Sequence, residues 1–252
     1  MKNSIVIIIF LFCLLGSAQK DSNFEKATTA YNEGAFSEAI DLYVAILEDG
    51  QHSAALYYNL GNSYYKLNDI PNSIYYYEKA LLLSPKDPEI LNNLGYAQQM
   101  TLDAIDTMPE TGLSKFYKSI LHTFTFDQWA YMGVAFICLF VFFYILFYYS
   151  EYSSRKRWAF ICSTTSLIIA IVSVAFAFIT FNDFKANKPA IIFTDEIEIQ
   201  AEPNTSSDTV FVLHAGTKVN VLEELNNWKK IRIIDGKTGW IPSNNLKLLK
   251  DF

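Results

Sequence analysis

The chain has 252 residues, of which 51% are hydrophobic, 16% aromatic and 18% charged, and its formal net charge is -6. This balance leans towards a membrane protein rather than one or two wholly soluble domains. No basic block is longer than three residues, so the basic face that nucleic-acid binding needs is missing.

The N-terminus carries Lys2, an apolar core from Ile5 to Leu15 and the small residues Gly16-Ser17-Ala18. A basic start, a short apolar core and small residues at its end predict a secretory signal peptide over 1–18, cleaved after Ala18. Cys13 sits in this run, but Leu11-Phe12 before it lack the small residues that lipoprotein processing requires. Cys138 and Cys162 also lie in apolar runs, where cysteine acts as a small apolar residue. The segments outside the apolar runs are therefore cysteine-free and suit an oxidising compartment without disulfides.

Residues 20–101 show internal self-similarity. The run Tyr57-Tyr58-Asn59-Leu60-Gly61-Asn62 is echoed 34 residues later by Leu91-Asn92-Asn93-Leu94-Gly95-Tyr96, and the same offset links Ala39 to Ser73 and Tyr43 to Tyr77. Small residues (Ala39, Gly61, Ser73, Ala80, Gly95) let helices approach closely, and Tyr57, Leu60, Tyr64, Tyr77 and Leu81 fill a core. Gly34 and Asn68-Asp69 suit turns, while Pro85 and Pro88 stop a helix. This pattern resembles the tetratricopeptide repeat, an all-α stack of helical hairpins. The second unit matches well, the first is looser (Ala27 and Ile46 depart from it), and the third is a lone first helix acting as a cap. By the register of that family, the concave face presents Phe24, Thr28, Tyr31, Tyr58, Asn59, Asn62, Tyr65, Asn92, Asn93 and Tyr96. Asn59 and Asn93 take equivalent positions and are expected to stack as a pair. Two readings stay open: a groove in which Asn and Tyr grip an extended peptide, or residues that merely suit the fold. Lys66 is the one basic residue near this face, too few for the variant of the family that clamps a C-terminal carboxylate. The other carboxylates of the repeats read as solvated helix-face charges.

Residues 102–128 begin as an acidic linker. Gly112 to Gln128 then places Leu113, Phe116, Tyr117, Ile120, Leu121 and Phe124 on one helical face. That amphipathic helix either lies in a membrane interface or packs on the repeats. His122 reads as an interfacial polar residue. Uncharged apolar segments follow at 129–149 and 158–181, each long enough at about 1.5 Å per residue to cross a hydrocarbon core of about 30 Å. Trp129, Tyr131, Tyr148, Tyr149 and Trp158 lie near their ends, as interfacial aromatics do. The loop 150–157 carries Arg155, Lys156 and Arg157, which predicts a transmembrane hairpin with a cytoplasmic loop and both flanking domains outside. Ser163, Thr164, Thr165 and Ser166 suit close helix contact, either with the first span or with a partner membrane protein.

Residues 189–252 read as five strands (191–200, 209–213, 218–222, 228–234 and 238–241) with turns at 204–207, 214–216, 226–227 and Asp235-Gly236. Pro203, Gly216-Thr217-Lys218-Val219, Val221-Leu222-Glu223, Trp228-Lys229-Lys230-Ile231 and Gly239-Trp240-Ile241 resemble the bacterial SH3-like family, a small all-β barrel. Gln200 stands where that family often has Arg. Trp228 and Trp240 are either core or rim aromatics or a shallow peptide-binding surface.

No catalytic set emerges. His52, His122 and His214 are scattered, and the chain has no Cys pair, Walker loop or nucleophile elbow. A non-enzyme without cofactor or metal is expected. Asn204-Thr205-Ser206 fits a glycosylation sequon, a weak signal by itself. The order of signal, repeats, two membrane helices and SH3-like domain resembles the BatE-type proteins of the Bacteroidetes aerotolerance operon, along essentially the whole chain. That resemblance implies a multi-pass protein of the bacterial inner membrane with both domains on the periplasmic side. It implies a scaffold role beside von Willebrand A-domain membrane proteins, tied to envelope or oxidative stress. The rival is a cell-wall-binding protein that grips peptidoglycan through the SH3-like domain.

Overall fold

The computed structural model describes residues 22–103, 105, 112–121 and 123–250. The expected signal segment, Cys13, His122 and most of the acidic linker lie outside them. The described chain forms two compact units: residues up to 105 together with those from 188 onward, and the stretch between.

The first unit opens with five helices: α1 (Ser22–Asn32), α2 (Phe36–Glu48), α3 (Ala54–Lys66), α4 (Ile70–Leu83) and α5 (Pro88–Gln98). Their starts are set locally. Ser53 and Asp69 accept the N–H groups of Leu56 and Asn72, and Asp87 accepts those of Glu89 and Ile90 beside Pro88 at the helix start. The turns use left-handed residues, Gly34 at φ 82° and Asn68 at φ 59°. Tyr43, Tyr57, Leu60, Ile74 and Tyr77 are fully buried between the helices. Ser73 is fully buried and donates to the Gly61 carbonyl at 2.9 Å.

The two repeat glycines differ. A Cβ on Gly61 would lie 2.5 Å from Tyr77 Cδ1, whereas one on Gly95 would meet nothing within 4 Å. The expectation of close packing at both is thus corrected for Gly95, whose helix α5 has no following hairpin helix against that face among the described residues.

Seven strands complete the unit: β1 (Pro189–Ile192), β2 (Glu196–Gln200), β3 (Thr209–His214), β4 (Lys218–Leu225), β5 (Trp228–Arg232), β6 (Thr238–Pro242) and β7 (Leu246–Leu248). They pair antiparallel in the order β3-β2-β6-β5-β4-β1-β7. Two differences from the sequence reading stand out. The run 191–200 is two strands, because Phe193 N–H donates to the Asn245 carbonyl and Thr194 Oγ1 to Asn245 Oδ1, turning the chain from one end of the sheet to the other. β7 escaped notice because three residues carry no readable alternation. The core is aliphatic, with Ile192, Ile199, Leu213, Val219, Val221, Ile231 and Ile241 at its centre.

Repeats and sheet share a core. Ile191 and Leu249 are fully buried in the cluster of Ile74, Tyr75, Ile90 and Leu94. Tyr75 stacks edge-on against Phe193 at 5.7 Å and its hydroxyl donates to the Leu248 carbonyl at 3.3 Å. Glu78, with 7% of its side chain exposed, pairs with Lys218 at 2.6 Å. It is therefore no solvated helix-face charge: α4 is buried on most of its sides, Glu78 and Lys79 included.

The second unit contains α6 (Gly112–Leu121), α7 (Phe126–Tyr149) and α8 (Ser153–Ala186). The predicted single helix 112–128 is broken, because Thr125 and Gln128 form a capping box that starts α7. Trp129 Nε1 donates to the Leu121 carbonyl at 3.1 Å, and its ring meets Phe124 and Phe176 edge-on. α7 and α8 pack side by side through Gly133 and the small residues Ala159, Ser163, Ser166, Ala170 and Ser173, which recur at alternating steps of four and three residues. Ser163 and Ser166 are buried there, but Thr164 is exposed and donates to its own helix at Phe160. Both helices are long and apolar enough to cross a membrane, and only 6% and 22% of their apolar windows are buried. The expected loop 150–157 shrinks to Ser150–Tyr152, since Arg155, Lys156 and Arg157 lie within the first two turns of α8.

Candidate functional site

The first helices of the repeats gather a polar network on their open face. Tyr77 reaches up from α4 and donates to Asn62 Oδ1 at 2.6 Å. Asn93 Nδ2 donates to the same oxygen at 2.9 Å and to the Tyr58 hydroxyl at 2.9 Å. One residue from each of α4 and α5 therefore holds Asn62 of α3 in place, and Tyr58 of α3 holds Asn93 in turn. Asn62 Nδ2 takes no part in these three bonds and is a donor of the kind that pairs with a peptide carbonyl.

Tyr43 extends the network towards α1, with its hydroxyl 3.0 Å from Thr28 Oγ1. Burial raises the Tyr43 hydroxyl above its ordinary pKa of 10.0, against hydrogen bonds from Thr28 and Asn59. Burial likewise raises Tyr77 and, with the neighbouring Tyr58 and Tyr43, Tyr31. These phenols stay neutral donors across physiological pH.

The structure brings Tyr58, Asn62 and Asn93 together as expected, but separates Asn59 from Asn93. Asn59 serves Tyr43, while Asn93 serves Asn62 and Tyr58, so the expected Asn pair is corrected. The reason is that Asn93 reaches both Tyr58 and Asn62, which lie one turn apart on α3, while Asn59 turns towards Tyr43. Tyr65 is half-buried against the Tyr57 and Ile74 cluster. Asn92 and Tyr96 are exposed, Tyr96 by 54%. Tyr43 and Tyr77 are the members that sequence reading missed. Their repeat offset marked them as packing residues, and nothing in that spacing tells that a core ring sends its hydroxyl into the groove.

On the sheet, Trp228 and Trp240 take neither core position. β5 pairs with β6 as Trp228↔Pro242 and Lys230↔Trp240, while Ile231 and Ile241 point inward. By strand alternation both tryptophans share the outer face, with Lys230 lying 5.8 Å from the Trp240 ring centre and 3.7 Å from Glu223. Gln200 is buried opposite Trp240, and its side-chain oxygen has no hydrogen-bond partner among the described residues.

Asp103, just after α5, joins repeats to sheet. Its carboxylate accepts the His214 backbone N–H at 2.8 Å, His214 Nδ1 at 2.7 Å and the Thr217 hydroxyl. Burial pushes its pKa up, but the bonds from Thr217 and His214 outweigh this and hold it below the ordinary 3.8. A depressed carboxylate contributes stability that is complete above the unfolded value and is lost as pH falls through the folded one. Acidification below about pH 4 is therefore expected to loosen this junction first. Amide exchange at residues 214–219 compared between pH 6 and pH 3 checks this; equal protection at both would contradict it. Among the described residues no three of His, Cys, Asp and Glu gather as metal ligands would.

Comparison with known proteins agrees with this geometry. Residues 61–101 match the family model described as TPR repeat, and residues 198–247 match that of the bacterial SH3 domain. Over 74 residues the chain is 32% identical to the Photosystem I assembly protein Ycf3 of Cyanophora paradoxa, a stretch covering 28% of this chain and 43% of that protein. The chain thus spans less than half the length of that relative.

Proposed function

We propose that this protein is a non-enzymatic, membrane-anchored scaffold that holds protein or peptide partners through the open face of its repeats. TPR and bacterial SH3 domains are a protein-interaction or cell-wall-binding combination, and the similar Ycf3 is by its name an assembly protein. The observation that carries the reading is the shared core of repeats and sheet. Those two parts flank α7 and α8 in sequence, yet Ile191 and Leu249 are buried with Ile74 and Tyr75. If α7 and α8 cross a bilayer, the chain must cross an even number of times between them. That favours a hairpin with both domains on one side, and Arg155, Lys156 and Arg157 at its tip favour a cytoplasmic turn. Positive side chains at the start of a helix oppose its dipole, so their position makes better sense as a topology signal than as a helix-stabilising one. Exposed Tyr131, Tyr148, Tyr149, Tyr152 and Trp158 fit interfacial anchors.

On this reading the domains face the periplasm of a bacterial inner membrane, as in the BatE-type proteins, and the partners include von Willebrand A-domain membrane proteins of that operon. Fusions of alkaline phosphatase and of green fluorescent protein after residues 60 and 230 test the topology. Both sites are expected to give phosphatase activity and no fluorescence; opposite signals at the two would remove the basis of the proposal. Photo-crosslinking from Tyr58 and Asn93 in cells then names the partner.

The outer-face tryptophans favour a second reading, in which the SH3 domain binds the cell wall. Sedimentation of the full chain, in detergent, with purified peptidoglycan separates the two. Retention that is lost in Trp228→Ala and Trp240→Ala would favour the wall over the groove.

A further inference from the structure

β3 is the outermost strand at one end of the sheet, and among the described residues no further strand pairs with its outer edge, which is already half prepared for a partner. His214 donates its backbone N–H to Asp103 rather than to β2, so that amide points to the open side. In an antiparallel ladder, residues two apart share the same orientation. Glu196↔His214 and Glu198↔Val212 are two such successive pairs, which puts the Val212 N–H on the open side as well. Asp103 thus occupies the place of a neighbouring strand's carbonyl at one position only, and the edge continues past it.

Three further features surround that edge. Val210 and Val212 are 50% and 39% exposed. A cleft of about 400 Å³ opens beside them, with Leu102, Ile105, Phe211, Val212, Leu213 and Ile233 as its apolar lining and Asp103, Asp235 and Lys237 as its charged lining. The hairpin and its approaches are strongly acidic: Asp195, Glu196, Glu198, Glu202 and Asp208 fall within residues 189–217, which contain no Lys or Arg. Glu196 and Glu198 are exposed and by alternation lie on the same face as Val212 and His214. An edge strand left open with exposed valines invites pairing. Its charge selects against a second copy of itself, because two such edges would bring carboxylates face to face.

We infer that the β3 edge is a second docking site, which takes an extended partner segment of alternating basic and apolar residues as an added strand. The backbone of the segment would pair with Val212, its apolar side chains would enter the cleft, and its Lys or Arg side chains would meet Glu196 and Glu198. Strand addition supplies affinity through main-chain bonds and specificity through alternate side chains.

The test uses the full chain in detergent and two fluorescent synthetic peptides, one alternating Lys and Val and one alternating Glu and Val. The Lys peptide is expected to bind with salt-sensitive affinity and to slow amide exchange at Val212, while the Glu peptide does not bind. Val212→Pro removes an N–H that β2 does not use, as edge strands tolerate, and is expected to weaken binding at least about tenfold. Asn93→Ala, in the repeat groove, is expected to leave binding unchanged. Equal binding of both peptides, binding unaffected by Val212→Pro with β2 protection retained, or dimerisation of the chain through β3 would overturn the inference. Should Val212→Pro cost the β2 ladder its protection, the double variant Glu196→Gln/Glu198→Gln decides. Loss of salt-sensitive binding upholds the site, and wild-type binding refutes it.

Discussion

Gly61→Ala is expected to destabilise the repeats, while Gly95→Ala leaves them unchanged or slightly firmer. Both substitutions gain helix propensity, worth about 0.8–1 kcal/mol in a helix interior. At Gly95 nothing opposes that gain. At Gly61 the new Cβ would press on two carbons of the Tyr77 ring at 2.5 and 2.7 Å. That ring is almost wholly buried, and its hydroxyl is tied to Asn62, so it cannot swing away without breaking the groove network. Overpacking of this kind costs about 1–3 kcal/mol, and the lost hydrogen bond adds about 1 kcal/mol. The net expectation is a loss of about 1–3 kcal/mol. Denaturant unfolding followed by circular dichroism measures both variants. Equal midpoints would show that the α3–α4 contact is looser than described. Because Tyr77 holds Asn62, Gly61→Ala should also weaken any peptide held at Asn62.

Asp103→Ala carries the other large effect. Three donors converge on one carboxylate that is 11% exposed, and bonds to a charged acceptor contribute about 1.5–3 kcal/mol each before relaxation. Losses within one network do not add, so about 2–4 kcal/mol is expected in all. The loss should fall on the junction rather than on either part. Amides of 190–192 and 246–249 would exchange faster, while those of 39–43, buried in the separate cluster of the first two helices, would keep their protection. Asp103→Asn retains an acceptor without charge and should fall between the two. Uniform loss of protection throughout would mean that repeats and sheet unfold as one, with no separate junction.

Much of this architecture was legible in the sequence because it rests on periodic signals. The 34-residue offset, the uncharged apolar runs and the Asp-Gly turn each report local geometry that needs no knowledge of distant contacts. The two tryptophans were left undecided, and strand register placed them on the outer face. The meeting of Tyr58, Asn62 and Asn93 on one face was also readable, since it follows from the repeat register. What escaped was everything made between segments remote in sequence. The burial of Glu78 and Tyr75, the role of Asp103 and the reach of the Tyr43 and Tyr77 hydroxyls depend on which surfaces meet. A surplus of apolar residues around α4 was the one available hint. Three consecutive tyrosines at 75–77 cannot all face one side of a helix, so a second covering surface was implied without being identified.

The shared core also fixes an order of assembly. Ile74, Tyr75, Ile90 and Leu94 emerge from the ribosome long before Ile191 and Leu249, and the two apolar helices are translated in between. The repeats therefore wait with an uncovered greasy flank until the last strands have been made. If α7 and α8 cross a bilayer as proposed, a chain in which only one of them crossed would strand its C-terminal strands on the far side and leave that flank bare. Proteases that recognise unfolded surface could then discard it, so closure of this core doubles as a check on correct insertion.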